Sequence, residues 1–418
     1  MKVELLAPAG DLERLKIALK YGADAVYIGY KELSLRANAI NFTYDEIKEA
    51  VSFAHNLGKK VYVTVNIVVH NNELSKIDEN IKKLSSIGVD ALIISDPSIF
   101  KYARKYNIEI HLSTQASTMN YKAAEFYKNE GVKRIVLARE CDRQSIKDII
   151  DKTNMDIEVF IHGAMCAGIS GRCVMSNVLT NRDANRGGCS QIGRWDFDLL
   201  DENKNLLKGD RPFTFCSKDL SMIEYIKDMI SIGIKSFKIE GRMRSSYYLA
   251  TIISVYRKVI DNCMKQKSDN VYTIEDKKTL DNCANRDSIP QFYNGVYDNT
   301  CSYYNGRVEV SNQDFLGIVL DYDEKTKLAT IEERNYFKRG DIVELFTPSN
   351  DIIELKIDKI YDEDNNLIEV VNHPLQVVRI PIDKKIDEYS MIRIKKNWQR
   401  HNFVVLFCKF VKMITDNI

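Results

Sequence analysis

The sequence predicts a (β/α)8 barrel of the TIM type, complete or imperfect, followed by a small all-β barrel domain. Two observations carry this. In the first two thirds one phrase recurs: an amphipathic stretch ends in glycine, and a short β-branched strand follows at once. It occurs at 22–29, 58–66, 88–96, 131–139 and 233–240. Glycine is the residue that most readily ends a helix in the left-handed conformation, and short continuous apolar strands mark a parallel sheet covered on both faces. Beyond about residue 313 the pattern changes to short strands separated by turns rich in Asp, Glu and Lys, as in small antiparallel domains.

Taken in order, the five phrases together with 3–6, 108–113 and 157–161 make eight strands with helical spacers between most of them. Eight alternating units predict a closed barrel. Residues 247–264 read as the helix that closes it, so the barrel domain is placed at 1–264. A Tyr/Asn-rich connector occupies 265–312, with turn signals at Asn294-Gly295 and Asn305-Gly306. The β domain is placed at 313–393, with strands at 316–320, 328–331, 342–346, 352–357 and 367–371. The tail at 394–418 receives no structure, and its apolar run 403–410 is too short to span a bilayer.

Composition narrows the function. A chain of 418 residues with 44% hydrophobic and 28% charged residues is that of a globular protein. A net charge of +1 excludes a global polycation, so any nucleic acid must be held by a local patch. The start MKVELLAPAG lacks the basic and apolar regions of a secretory signal, and no apolar run reaches membrane-span length. Nine cysteines without such a signal point to reduced thiols or metal ligands, and a cytoplasmic setting without membrane contact is expected.

Barrels of this type work at the C-terminal ends of their strands. The residues falling there are Pro8-Ala9-Gly10, Gly29, Asn66, Asp96, Thr114-Gln115, Arg139-Glu140, His162-Gly163 and Glu240-Gly241-Arg242. The stretch 158–189 leaves from the seventh strand and packs three cysteines and five glycines into a short span. Cys166, Cys173, Cys189 and Cys216 form C-x6-C-x15-C-x26-C. Four thiolates from irregular loops suit a cubane iron–sulfur cluster or a structural zinc, and the absence of tight C-x2-C knuckles favours iron–sulfur. Free cysteines are also commonly small buried hydrophobes, and Cys141, Cys263, Cys283, Cys301 and Cys408 are assigned to that role. Arg172, Arg182, Arg186, Arg194 and Arg211, with Lys208 and Lys218, crowd the cysteine segment. Such a rim could hold carboxylate or phosphate and offset the charge of bound thiolates. His162, beside the cysteine loop, is a candidate general acid/base, whereas His111 reads as a core or rim residue. Hydrolase elbows, zinc-protease helices and nucleotide-binding glycine loops are missing.

At these residues the chain resembles a known family. Glu158-Val-Phe-Ile-His-Gly-Ala-Met-Cys166 and Ser170-Gly-Arg-Cys-Val-Met-Ser176 resemble the signature of the collagenase-like peptidase family, peptidase family U-thirty-two. Leu6-Ala-Pro-Ala-Gly-Asp11, Leu112-Ser-Thr-Gln-Ala116, Arg186-Gly-Gly-Cys189 and Phe237-Lys-Ile-Glu-Gly-Arg-Met-Arg244 are similar to it too, and the likeness covers about residues 1–393. In the family's iron–sulfur members four cysteines hold a [4Fe-4S] cluster, and the matching positions are Cys166, Cys173, Cys189 and Cys216. The resemblance implies an oxygen-independent RNA hydroxylase of the tRNA-modifying branch, which makes wobble 5-hydroxyuridine and depends on prephenate. A second family member as partner chain is a further implication. On that reading Arg139, Arg172, Arg242 and Gln115 contact substrate, and His162 or Glu240 handles the proton. Two other readings stand beside it: a collagenase-like peptidase, and a zinc-stabilised RNA-binding scaffold. The tail after about Asn397 departs from the family pattern.

Overall fold

The computed structural model describes residues 3–31, 41–207, 212–265, 271–284, 286–295, 298–303, 315–349 and 351–394. The tail, the Asn305-Gly306 turn, Lys208, Arg211 and Cys408 lie outside them. The chain divides into two compact units, Met1–Asn312 and Gln313–Ile418.

The first unit alternates strand and helix: β1 (Glu4–Pro8), α1 (Leu12–Lys20), β2 (Ala25–Gly29), α2 (Tyr44–Asn56), β3 (Lys60–Val65), α3 (Leu74–Ile87), β4 (Ala91–Ile94) and α4 (Phe100–Lys105). It continues with β5 (Glu109–Leu112), α5 (Tyr121–Asn129), β6 (Arg134–Val136), α6 (Arg143–Thr153), β7 (Asp156–Gly163) and α7 (Met175–Thr180). Then come β8 (Asp219–Ser221), α8 (Ile226–Ser231), β9 (Ser236–Ile239), α9 (Ser246–Met264), α10 (Ile274–Cys283) and β10 (Ser288–Ile289).

Local chemistry sets the helix ends. Asp11 and Asn120 accept the amides of Arg14 and Ala123, and Thr43 with Glu46 forms a reciprocal capping box, each satisfying donors that a helix start leaves open. Gly88 ends α3 at φ 85°, the left-handed cap that the recurring phrase requires.

Strands β1 to β7 pair in parallel, each with its neighbour in sequence, and β9 pairs in parallel with both β7 and β1. The expected eight-stranded parallel barrel is therefore present and closed. Strand β8 is an addition: it runs antiparallel to the last residues of β7, and β10 pairs with it in turn. The segment read as a connector belongs to the barrel unit through α10 and β10.

The barrel interior is charged near its floor. Glu158 is fully buried and meets Lys238 Nζ at 2.8 Å and Arg134 Nη1 at 3.4 Å. Arg134 also pairs with Glu4. Ser236 Oγ donates to Glu4 at 2.9 Å and Tyr62 Oη donates to Glu4 at 2.7 Å. Burial alone would raise the Glu158 pKa, but the Lys238 and Arg134 charges prevail and hold it below the usual carboxylate range. His111 is buried beside Tyr62, with Nε2 2.8 Å from Glu109 Oε1, as fits a core histidine.

The second unit comprises β11 (Phe315–Asp323), β12 (Leu328–Glu333), β13 (Phe337–Lys338), β14 (Ile342–Phe346), β15 (Ile352–Lys356), β16 (Ile360–Tyr361), β17 (Leu367–Ile368), β18 (Val370–Val371), β19 (Val377–Pro381) and β20 (Met391–Ile394). Eight of these form an antiparallel sheet in the order β15-β14-β20-β11-β12-β19-β16-β17, and β13 pairs with β18. One apolar core, including Phe337, Leu345, Ile357, Val371 and Ile392, unites them.

Removing one partner of a buried ion pair strands the other charge. Lys238→Met should therefore cost about 3–5 kcal/mol in urea unfolding, far more than Lys122→Ala in the exposed Lys122–Glu125 pair. The double variant Glu158→Gln/Lys238→Met should recover part of that loss.

Candidate active site at the barrel mouth

The strands deliver a polar rim at their C-terminal ends. Arg139, three residues beyond β6, lies over the Phe160 ring at 3.9 Å and reaches Glu240 Oε2 at 3.5 Å. Arg242 is buried, with Nη1 3.4 Å from Thr64 Oγ1. Gln115 Oε1 accepts from Asn66 Nδ2 at 3.1 Å and from Ser113. The approach of β7 to β9 depends on Gly163 (φ 113°), where a Cβ would stand 2.5 Å from the Glu240 carbonyl oxygen. Arg139, Glu240, Arg242 and Gln115, expected at the mouth, are all found there, and Arg172 is exposed on the cysteine loop.

His162 differs from its expected role. Its side chain is buried against Tyr248 and Tyr256, with Nδ1 3.3 Å from Tyr256 Oη. Burial, reinforced by the Arg244 charge, pushes its pKa down to about 3. A neutral, enclosed imidazole packs the base of the cysteine loop and does not exchange protons near neutrality.

The cysteine segment is stitched to the rim and to itself. Gly171 (φ 74°) lies where a Cβ would meet the Gln115 carbonyl oxygen at 2.2 Å, and Ser117 Oγ donates to the Ser170 carbonyl. A Cβ at Gly168 would have the Cys173 and Cys166 sulfurs 3.4 and 3.8 Å away, so these two thiols flank one glycine. Asn185 Nδ2 donates to the Cys173 carbonyl at 3.3 Å, and Ser190 N to Ser176 Oγ at 3.1 Å, which ties the Cys173 and Cys189 stretches together. Thr214 Oγ1 donates to the Gly193 carbonyl at 3.5 Å and accepts from Cys216 N at 3.2 Å.

Cys166 and Cys189 are exposed, Cys173 is half-buried and Cys216 is buried. Amides of Gly168 and Gln191 donate to the Cys166 and Cys189 sulfurs, each at 3.4 Å. Although the Cys166 residue is exposed by area, packing around its thiol raises the pKa most, with the Gly168 amide and Arg139 acting in the opposite sense and Cys173 and Cys189 adding to the rise. These influences place three cysteines and Arg139 within one electrostatic neighbourhood. Cys141 is an ordinary buried thiol, pushed up to about 12 by burial, and Cys283 and Cys301 are buried as expected.

Whether four thiols fit a metal group turns on spacing. Sulfurs sharing one zinc stand roughly 4 Å apart, because each lies ~2.3 Å from the ion. Among the described residues no group of three or more His, Cys, Asp or Glu is gathered tightly enough to hold a single ion. A cubane sits between its ligands and needs them farther apart, and amide donors to sulfur are a feature of such sites. The thiol donor set, the two N–H···S contacts and the adjoining arginines are of the kind that hold and offset a thiolate-bound metal group.

A second cluster was not foreseen: Asp219, at the start of β8, with Arg194, Arg244 and Arg286. Arg194 had been assigned only to a rim, and Arg286, inside the polar connector, carries no sequence signal at all. A cavity of about 650 Å³ bordered by Val3, Asp24, Lys59 and Arg257 lies at the opposite, N-terminal end of the barrel and shares no residue with the mouth.

The fold and the site define an α/β barrel protein with a cysteine-bearing insert rooted at the C-terminal ends of its strands, followed by an antiparallel domain. Residues 10–301 match Peptidase family U32 and residues 311–393 match the Peptidase family U32 C-terminal domain, and the chain belongs to this family. It is 47% identical over 399 residues to tRNA hydroxylation protein P1 of Bacillus subtilis, covering 94% of each chain. It is 33% identical over 400 residues to tRNA hydroxylation protein P of Escherichia coli, covering 84% of this chain and 87% of that one. A protein of Porphyromonas gingivalis named Collagenase is 29% identical over 397 residues, covering 92% and 95%.

The low His162 pKa has a consequence for stability. Unfolding returns it from about 3 to its ordinary value of 6.5. The unfolded chain binds this proton first, so the contribution is complete above pH 6.5 and is lost as pH falls toward 3. His162→Gln should flatten the stability profile between about pH 6 and 4 by up to about 1.4 kcal/mol per pH unit, read from urea unfolding at each pH.

Proposed function

We propose that this protein is an RNA-modifying enzyme that hydroxylates tRNA, forming 5-hydroxyuridine at the wobble position with a prephenate-like dicarboxylate as co-substrate. Cys166, Cys173, Cys189 and Cys216 would hold a [4Fe-4S] cluster, which supplies electron-transfer chemistry when bound. The observation that carries the reading is the similarity along nearly the whole chain to a relative named for tRNA hydroxylation. The geometry supports it: the cysteine insert docks on the Gln115 loop beside the Arg139–Glu240 pair. In this reading Arg139 and Arg242 orient carboxylate groups, Arg172 contacts an anionic substrate from the exposed loop, and Gln115 positions substrate through its amide. Glu240 is the group placed to hold a proton, since His162 is withdrawn from the mouth. A second chain of the same family could complete the RNA surface.

The peptidase reading has one relative's name in its favour. The sequence carries neither a G-x-S-x-G elbow nor an H-E-x-x-H helix beside it.

Deleting the gene in its host should abolish 5-hydroxyuridine-derived nucleosides in digested tRNA, as read by mass spectrometry. Wild-type complementation should restore them, Cys166→Ala should not, and Glu240→Gln should restore less than a tenth. Unchanged nucleosides in the deletion strain would overturn the proposal.

A further inference from the structure

The cysteine insert carries an aromatic surface that the thiols do not use. It starts from a single 3-10 turn, Ile192–Arg194, anchored by the buried Ile192. This turn adjoins three of the four cysteine stretches. Gln191 N, at its head, donates to the Cys189 sulfur at 3.4 Å. A Cβ at Gly193 would stand 3.8 Å from Ala167 Cβ, next to Cys166. The Gly193 carbonyl accepts from Thr214 Oγ1 at 3.5 Å, two residues before Cys216.

Trp195 leaves the turn with 44% of its surface exposed. Beyond it the chain forms a short two-stranded ribbon. Phe197 N donates to the Phe213 carbonyl at 2.8 Å, and Phe213 N to the Phe197 carbonyl at 3.2 Å. Residues directly opposite in an antiparallel pair point to one side, as do residues two apart along a strand. Trp195, Phe197, Phe213 and Phe215 therefore share one face of the ribbon. Phe215 is 39% exposed and packs edge-on against Phe197 at 5.5 Å and Phe213 at 4.8 Å. Asp196 and Asp198, both exposed, alternate to the other face.

Contiguous apolar surface left open to water marks a contact site, and two features decide what covers this one. Open aromatic rings match the faces of unstacked bases, which bind by stacking whatever their sequence. Charge is sorted to suit a polyanion: Arg194 precedes Trp195, Arg172 and Arg182 are exposed on the same insert, and the nearest acids point away. We propose that Trp195, Phe197, Phe213 and Phe215 form a stacking platform for unpaired nucleotides of an RNA loop, beside the thiol-bearing loops. The inference rests on the tRNA reading for its partner and adds the surface that receives it. Farther along the ribbon Leu199, Leu200, Leu206 and Leu207 are exposed as well, so a second copy of the chain is the competing occupant.

The test uses the full-length chain, purified without oxygen, in a Trp398→Phe background that leaves Trp195 as its one indole. Indole fluorescence is followed while an RNA hairpin with an unpaired loop, or a fully paired RNA duplex of the same composition, is added. The hairpin should quench Trp195 and bind more tightly than the duplex. Affinity for a labelled hairpin should fall about fivefold or more in Trp195→Ala and in Phe215→Ala. It should change little in Trp195→Phe, or in Phe126→Ala at an exposed aromatic on α5. Stacking neutralises no phosphate, so the salt dependence of binding should be the same in Trp195→Ala as in wild type. Quenching needs no change in the ribbon, so it stays readable if Phe215→Ala, next to Cys216, fails to fold. The platform is overturned if the hairpin does not quench, if the duplex binds equally well, or if Trp195→Ala binds RNA as wild type does. Conversion of a dimer to a monomer by Trp195→Ala in sedimentation, with RNA affinity unchanged, would also overturn it and assign the face to a second copy. Normal RNA binding by Trp195→Ala, with 5-hydroxyuridine lost in the deletion strain, would sink the platform alone. Binding through Trp195 with unchanged nucleosides in that strain would sink only the hydroxylation reading.

Discussion

The structure depends on the seam where β9 inserts between β7 and β1. The pairings from β1 to β7 join strands consecutive in sequence, whereas β9 must meet β7 across the whole cysteine insert and meet β1 from the other end of the barrel. Backbone pairing alone leaves that register open, and the buried Glu158–Lys238 pair fixes it, since Glu158 stands on β7 and Lys238 on β9. In a low-dielectric interior neither charge tolerates losing the other. A slip of β9 by one residue would turn Lys238 toward the helices and leave Glu158 buried without it.

Closure at this seam creates the mouth. The strand that ends at Gly163 launches the cysteine segment, and the strand paired with it ends in Glu240 and Arg242. A fixed register therefore sets the distance between the thiol-bearing loop and the charged rim. Gly163 and Gly171 are the two contacts where the absence of a side chain lets these layers meet. The fold thereby holds the cysteine-bearing loop and the charged rim at one end of the barrel, with the buried His162–Tyr256 pair beneath them.

Much of this was legible in the residues. The glycine-then-strand phrase marks real helix ends and real parallel strands because both follow from local chemistry. The rim residues could be named because strand ends fix where a barrel's chemistry falls. What escaped depended on contacts distant in sequence. Strand β8 is three residues long and exists because Met222 N donates to the Ile161 carbonyl and the end of β7 offers an open edge. His162 was placed near the loop correctly, but its enclosure by two tyrosines from α9 has no local signal. Arg286 gave none either, since a polar segment looks the same whether it floats or packs. The four cysteines were singled out by context, and their neighbourhood of glycine, serine and arginine is what lets them lie on an irregular insert.

The central claim is that Cys166, Cys173, Cys189 and Cys216 together hold an iron–sulfur cluster over the barrel mouth. Anaerobic purification with iron, sulfide and zinc quantification and a visible spectrum tests it most directly. The account predicts a brown protein with about four irons and four sulfides per chain, and loss of most of that iron in Cys216→Ala. A colourless protein carrying one zinc, or iron content unaffected by Cys216→Ala, would contradict it.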